Sequence, residues 1–418
     1  MQSTLICLAL STAAAFAPTA TPARTGTKLN AGVGVIIQNK GGGHGEIGFH
    51  LAKTLIDKGL DSVKIVQDAD AKKDKLPFCK YDELPAAVSV EWVDMGDAAA
   101  VEAACSSAGA ITHVYDNFAK SPADAAPVIA AAKGSSDFKT YAFVSSAGMY
   151  TAKGMLKETK AIKDPPTGQR EVELTLEAEL PGKWCAFRPQ YIYGPYTNKR
   201  DYLDWFLNRA ARDLPMAVPA DAQQPVSVTH CEDVASLLGS VVGKEDAAAD
   251  QIFNCGANKL CSYDDVCIAA AKALGKEALV AALPPDTKSS FPFRPNAEGF
   301  AVSVPRLRRR RPVSSGRPGE RGPGDERDAI RAKGRGDAAA ASQIVRGRAP
   351  PSQVRKALDV LEWEGAKHNV LDDIAADGFY TKDFLALGLD QGDLDTSKDQ
   401  LELCENLEQD YGARGVHV

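Results

Sequence analysis

Five short apolar runs mark the first part of the chain, at residues 34–38, 63–66, 88–93, 111–117 and 141–146. They are rich in β-branched and aromatic residues and show little in–out alternation. That pattern suits strands buried on both faces. Between them lie a stretch with apolar residues at helical spacing, 49–56, and two alanine-rich stretches, 98–104 and 125–132. Strand and helix therefore alternate, and this alternation predicts an α/β, doubly wound parallel sheet.

The first strand runs into Gly41-Gly42-Gly43-His44-Gly45-Glu46-Ile47-Gly48, and a helix follows. Strand, glycine turn and helix come in the order that a phosphate site needs. Positions without side chains let the backbone approach a pyrophosphate, and the helix start offers free N–H groups. Gly42, Gly45 and Gly48 form G-x-x-G-x-x-G, a looser spacing than G-x-G-x-x-G; a tight turn without a ligand is the alternative. Asp68 ends the second strand about 20 residues later, where an acid would take the ribose hydroxyls of a dinucleotide.

Four further motifs follow in order. They are Ser145-Ser146-Ala147-Gly148-Met149-Tyr150, Arg188-Pro189-Gln190-Tyr191-Ile192-Tyr193-Gly194-Pro195, His230-Cys231-Glu232-Asp233-Val234-Ala235 and Ile252-Phe253-Asn254-Cys255-Gly256. Together they resemble the extended short-chain dehydrogenase/reductases, the family of NAD-dependent epimerases and dehydratases. The resemblance implies a Rossmann-type sheet with a smaller α/β C-terminal lobe and an NAD(P) pocket. It also implies a Ser or Thr that holds the substrate oxygen, beside a Tyr-x-x-x-Lys pair. Ser146 takes the Ser position. Where the pair should open a helix, about 25 residues on, the sequence has Glu171 and Thr175. A carboxylate there repels developing negative charge, and a hydroxyl cannot replace an ammonium. Hydride chemistry is therefore expected to be lost, with the nucleotide pocket kept as an empty or regulatory site.

Finer details resemble one divergent branch, the chloroplast stem-loop RNA-binding proteins, and more nearly their a type. They are Gly42-Gly43-His44, Ile47-Gly48-Phe49, Pro77-Phe78-Cys79-Lys80-Tyr81-Asp82-Glu83-Leu84, Asp116-Asn117, Trp184-Cys185-Ala186-Phe187-Arg188-Pro189-Gln190-Tyr191 and Phe291-Pro292-Phe293-Arg294. This resemblance implies a plastid protein that binds RNA stem-loops, with cleavage assisted by a divalent metal such as Mg. It further implies association with ribosomes, and self-association or pairing with a paralogue. An active nucleotide-sugar epimerase or reductase, and a nucleotide-sensing scaffold without chemistry, stay open as alternatives.

Candidate residues for these roles are few. Lys199, Arg200, Arg209 and Arg212 lie close in sequence to Tyr196, Tyr202, Trp205 and Phe206. Cations for phosphates beside aromatic platforms suit exposed bases. An amphipathic helix with a core aromatic face is the competing reading. For cleavage, carboxylates at strand ends could hold a metal: Asp116 beside Asn117, and Asp68, Asp94 and Asp97. Each of these also reads as a turn or helix cap. No H-x-x-x-H spacing names metal ligands.

Composition refines this picture at the two ends of the argument. The 418 residues are 44% apolar and carry a net charge of −6, with nine cysteines and no C-x-x-C. That excludes a zinc ribbon and favours a reducing compartment. The first acidic residue is Glu46. Residues 1–30 combine a short apolar run, an Ala-Phe-Ala-Pro junction and an acid-free Thr/Ala/Pro stretch. This reads as a bipartite plastid presequence, as in algae with secondary plastids, with plain secretion as the alternative. Apolar runs are too short for a membrane span. Residues 303–350 hold 13 basic and 5 acidic residues and almost no large apolar side chain. They read as a disordered basic insertion, either a gene-model artefact or an RNA-binding tether. The expected organisation is a Rossmann-like domain at 31–187 and a C-terminal lobe at 188–302 and 351–418. After 351, Leu361-Glu362-Trp363 resembles a Leu-Gly-Trp element with Glu362 at the glycine. Setting aside the insertion (about +8) and presequence (about +2) leaves the body near −16. Phosphate binding then has to rest on a local basic patch such as 199–212, or on metal-bridged contacts.

Overall fold

The computed structural model describes residues 32–38, 46–151, 156–196, 202–219, 225–257, 260–283, 357 and 360–375. The five expected strands are present as β1 (Val33–Gln38), β2 (Ser62–Asp68), β3 (Val88–Val93), β4 (Ile111–Asn117) and β5 (Thr140–Val144). Two more, β6 (Trp184–Arg188) and β11 (Gln251–Asn254), complete a seven-stranded sheet in the order β11-β6-β5-β4-β1-β2-β3. Every pairing in it is parallel. The order reverses direction between β1 and β4, the switch point at which such sheets open a ligand crevice. The sheet also crosses the expected lobe boundary at 187, because β6 ends at Arg188 and β11 comes from the later part of the chain.

Helices cover both faces. α1 (Glu46–Asp57) and α6 (Cys231–Gly239) share one apolar core with Ile36, Ile65 and Phe187. α2 (Ala98–Ser106), α3 (Pro122–Gly134) and α4 (Gly168–Glu179) share the other with Val35, Val114 and Phe143. Starts are set by local chemistry: Asp97 accepts the amides of Ala99 and Ala100, and Ser121 with Asp124 forms a capping box. Each such cap stabilises by about 1 kcal/mol. Gly48 is where α1 meets β1. A Cβ there would lie 2.7 Å from the buried Gln38 side chain, so this glycine is required by close helix–strand packing.

The smaller lobe has its own core. α5 (Tyr202–Ala211) and α8 (Tyr263–Ala273) pack with β8 (Met216–Pro219), β13 (Val280–Leu283) and a short helix, α9 (Val370–Ala375). Two pairs of two-residue strands flank it: β7 (Ile192–Tyr193) with β10 (Thr229–His230), and β9 (Pro225–Val226) with β12 (Cys261–Ser262). One helical turn, α7 (Glu245–Ala248), leads into β11. Among the described residues no helix is long and apolar enough to cross a membrane. None of the seven described cysteines is in a disulfide, and six of them are buried.

The segment after 357 docks back onto the main body. Trp363 is buried and its Nε1 donates to Ser236 Oγ on α6 at 3.1 Å. Glu362 has φ of 51°, the left-handed region that favours glycine. The Leu361-Glu362-Trp363 register read from the sequence thus agrees with the backbone. Residues 1–30, Gly42, Gly45, His44, Lys199, Arg200, 291–294 and 303–350 lie outside the described residues.

Candidate functional site

The C-terminal ends of β5, β6 and β11 converge on a buried polar network. At its centre is Glu173, on the inner face of α4, with no solvent exposure. Arg188, the last residue of β6, donates from Nε to Glu173 Oε1 at 2.9 Å and from Nη2 to Oε2 at 2.6 Å. Ser145 Oγ donates to Oε1 at 2.7 Å, and Arg170 Nη1 to Oε2 at 2.8 Å. Arg188 Nη1 also donates to the Tyr150 hydroxyl at 2.8 Å, which in turn donates to Asn254 Oδ1 at 2.7 Å. α4 reaches this place because Thr167 caps it and because Val172 and Leu176 bury the same face as Glu173.

Electrostatics follow from that packing. Burial alone would raise the Glu173 carboxyl, but the hydrogen bonds and charge of Arg188, with Ser145 and Arg170, hold it below the ordinary range. Burial pushes the Tyr150 phenol up to about 12 despite the neighbouring guanidinium. The phenol is therefore a neutral hydrogen-bond link at any physiological pH. A closed network of this kind fixes the loops after three strands.

The helix register differs from the sequence reading. Glu171 is exposed, and Thr175 Oγ1 donates back to the Glu171 carbonyl at 2.9 Å. Those two positions look away from Ser145; the position that faces it is Glu173. Each residue of α-helix turns the side chain by about 100°, so two residues carry it to the opposite side. α4 carries neither tyrosine nor lysine in Gly168–Glu179.

The remaining predicted residues are placed as follows. Ser146 is half-buried and its Oγ accepts the amide of Gly148 at 3.0 Å. Asp116 is fully buried: its Oδ1 accepts the amides of Phe118 and Ala119, and its Oδ2 accepts the Tyr141 hydroxyl at 2.6 Å. Burial raises its pKa. It is a turn-holding residue out of reach of water, and not an open carboxylate. Asn117 Nδ2 donates to Gln38 Oε1 at 2.8 Å and ties β4 to β1. Asp68 sits at the end of β2 as expected, buried, with Oδ1 accepting the amide of Asp70 at 2.9 Å. Asp94 accepts the amide of Gly96. Arg209 is buried; its Nε donates to the Pro215 carbonyl, and its guanidinium lies over the Trp205 ring. It belongs to the lobe core and not to a solvated basic face, because Phe206 and Leu207 beside it are fully buried. Arg212 is half-exposed.

These placements bear on a dinucleotide. Asp68 at the β2 end suits the adenosine half. On the opposite side of the sheet's switch point, Ser145 faces a carboxylate locked to an arginine. Among the described residues, α4 supplies no tyrosine–lysine pair beside Ser145 to pass a proton in a hydride step. In the sequence Arg188 stands out only as part of a motif, and nothing singles out Glu173. An acid two residues from the expected pair position is the one visible signal.

Comparison with known proteins agrees with this architecture. The profile of the NAD dependent epimerase/dehydratase family matches residues 41–256. A chloroplast stem-loop binding protein of 41 kDa b, from Arabidopsis thaliana, is 30% identical over 190 residues, covering 43% of this chain and 49% of that protein. The match thus spans about half of the relative's length, and that relative carries the b designation. Among solved structures, a putative epimerase from Burkholderia cenocepacia J2315 is similar with a TM-score of 0.51, at 17% identity over 82% of this chain and 98% of that one. MoeE5 in complex with UDP-glucose and NAD gives 0.55, at 15% identity over 86% and 100%. Bordetella bronchiseptica WbmF in complex with NADH gives 0.52, at 14% identity over 93% and 98%. These structural likenesses speak for the fold. With the profile covering more than half of its length, the chain belongs to the NAD-dependent epimerase/dehydratase family.

Proposed function

We propose that this protein binds RNA stem-loops in the plastid, on an epimerase-type scaffold that no longer transfers hydride. The observation that carries the reading is the 190-residue similarity to a plant protein named for chloroplast stem-loop binding. The Glu173–Arg188 lock supports it from the other side, since it stands where a redox member of the family needs a proton donor.

Binding, and not cleavage, is the activity the described carboxylates support. Metal-assisted hydrolysis needs carboxylates open to water and an ion. Asp116 is buried and engaged, and Asp68, Asp94 and Asp97 each hold a turn or cap amides. Asp94 and Asp97 are exposed, but among the described residues these strand-end carboxylates do not come together as a ligand set for Mg. Lys199, Arg200 and Arg212 are our candidates for phosphate contact, with Arg209 left out. The presequence supports delivery to a plastid, and its bipartite form supports an alga with a secondary plastid. Ribosome association, and self-association or pairing with a paralogue, belong to the same reading.

The second reading, an NAD(P)-dependent nucleotide-sugar enzyme, is favoured by one observation, Asp68 at the end of β2. One experiment separates the two. The mature protein is titrated against a stem-loop RNA and against the same strand unable to pair, and in parallel is offered NAD with UDP-glucose. Preference for the stem-loop with the sugar nucleotide left unconverted is expected. Conversion of the sugar nucleotide without RNA binding overturns the proposal.

A further inference from the structure

A second cluster of polar side chains lies apart from the Glu173 network, where α6 starts and the late segment 363–375 docks. His230 caps α6, Glu232 sits in its first turn, and His368 comes from the late segment. One ligand atom from each lies within 4.8 Å of the other two. We infer that His230, Glu232 and His368 form a site for one divalent transition-metal ion of the zinc class, which clasps the late segment to the body.

Four observations build the site. First, the three groups come from two parts of the chain that are far apart in sequence, so their meeting is a property of the fold. Second, His368 is oriented from behind. Its Nδ1 contacts Asp373 Oδ1 at 3.4 Å while its Nε2 faces Glu232 Oε2 at 3.3 Å. Asp373 is itself held by the Tyr193 hydroxyl at 2.5 Å. A carboxylate on the far nitrogen of a histidine is the usual outer partner of a metal ligand. Third, Glu232 is oriented from its other side, with Oε1 3.5 Å from His50 Nδ1. Fourth, Asp233 accepts the amides of Lys367 and His368 at 2.8 and 3.0 Å, which fixes the backbone that carries the third ligand.

The donor set decides the class. Two imidazoles and one carboxylate suit Zn²⁺ and its neighbours; Mg²⁺ and Ca²⁺ prefer all-oxygen sites. Glu232 is 45% exposed and His368 30%, so an ion has a way in, while buried His230 forms the inner wall. Bonds of about 2.0–2.1 Å in a tetrahedron put ligand atoms about 3.4 Å apart. The groups therefore have to close by roughly 1 Å. The His230 and His368 rings now stack, 3.6 Å apart and 9° from parallel. His230 Nδ1 also accepts the Glu232 amide at 3.2 Å. Loading turns the more exposed His368 ring out of the stack and loosens that cap bond.

The test uses the full mature chain, first stripped with a chelator. Zn²⁺ is titrated by calorimetry, and Co²⁺ by visible absorption, in wild type, His368→Ala and Glu232→Gln. One ion per chain is expected, with Co²⁺ bands of a low-coordinate nitrogen–oxygen site. Affinity should fall at least tenfold in each variant, and Zn²⁺ should slow proteolysis of the segment after 357. Glu232→Gln keeps the side-chain shape at an exposed position, and it decides the matter where His368→Ala fails to fold. No stoichiometric uptake, or uptake unchanged in Glu232→Gln, overturns the inference.

Discussion

Arg188 and Glu173 meet through two parallel hydrogen bonds in a space closed to solvent, the guanidinium at the end of β6 and the carboxylate on the inner face of α4. Paired, the two charges satisfy one another. Removing Arg188 leaves the buried carboxylate with Arg170 and Ser145 alone, and breaking a buried pair of this kind costs about 3–5 kcal/mol. Arg188→Met should therefore lower stability by about that amount, and Glu173→Gln by less, since the amide still accepts one bond. Denaturant unfolding of the two variants beside wild type measures it. A loss under about 1 kcal/mol for Arg188→Met contradicts the lock.

Acid should act on the same group. The Glu173 carboxyl is depressed in the folded state, so its contribution is complete above the ordinary carboxylate value and is lost as pH falls through the folded one. Glu245 works in the same direction. Burial would raise it, but the hydrogen bond with His113 and the amide of Gly243 hold it at about 2. The share of stability that these two carboxylates supply should thus decline from pH 4.5 toward about 2. The Tm gap between wild type and Glu173→Gln should narrow over that descent; a constant gap contradicts the assignment.

The outward face of α4 yields a converse prediction. Glu171→Tyr with Thr175→Lys writes the spacing of a hydride-transfer pair onto positions that face away from Ser145. The double variant should fold with stability within about 0.5 kcal/mol of wild type. It should leave UDP-glucose unconverted in the presence of NAD. Gain of that activity would place the helix in the other register.

Glu362 holds a left-handed backbone with φ of 51°, which strains a residue with a Cβ. Its one described partner is Lys244, at 2.7 Å, with the glutamate 73% exposed, a pair that contributes little. Glu362→Gly should therefore stabilise the protein by about 1 kcal/mol. Thermal unfolding of the single variant reads this directly, and a lower Tm contradicts it.

Much of the fold was legible in the sequence because strands buried on both faces leave uninterrupted apolar runs. The runs at 88–93 and 111–117 coincide with β3 and β4. Helix facing was less legible. The distance from Ser146 to α4 passes through a loop, so counting residues cannot fix which face turns inward, and the reading fell two residues from Glu173. Arg209 beside Trp205 read as a solvated cation because sequence does not show that Phe206 and Leu207 bury that side. Asp116 was visible at a strand end, but its occupation by Tyr141 and two amides depends on the neighbouring strand. The cluster of His230, Glu232 and His368 joins segments more than 130 positions apart, and no local spacing announces it.

The most direct measurement is the affinity of the mature protein for a stem-loop RNA as a function of salt, in wild type and in Lys199→Glu with Arg200→Glu. The account predicts binding that weakens linearly in log–log form, with a slope reduced by roughly 1–2 in the double variant. Absent binding at low salt, together with conversion of UDP-glucose in the presence of NAD, would contradict it.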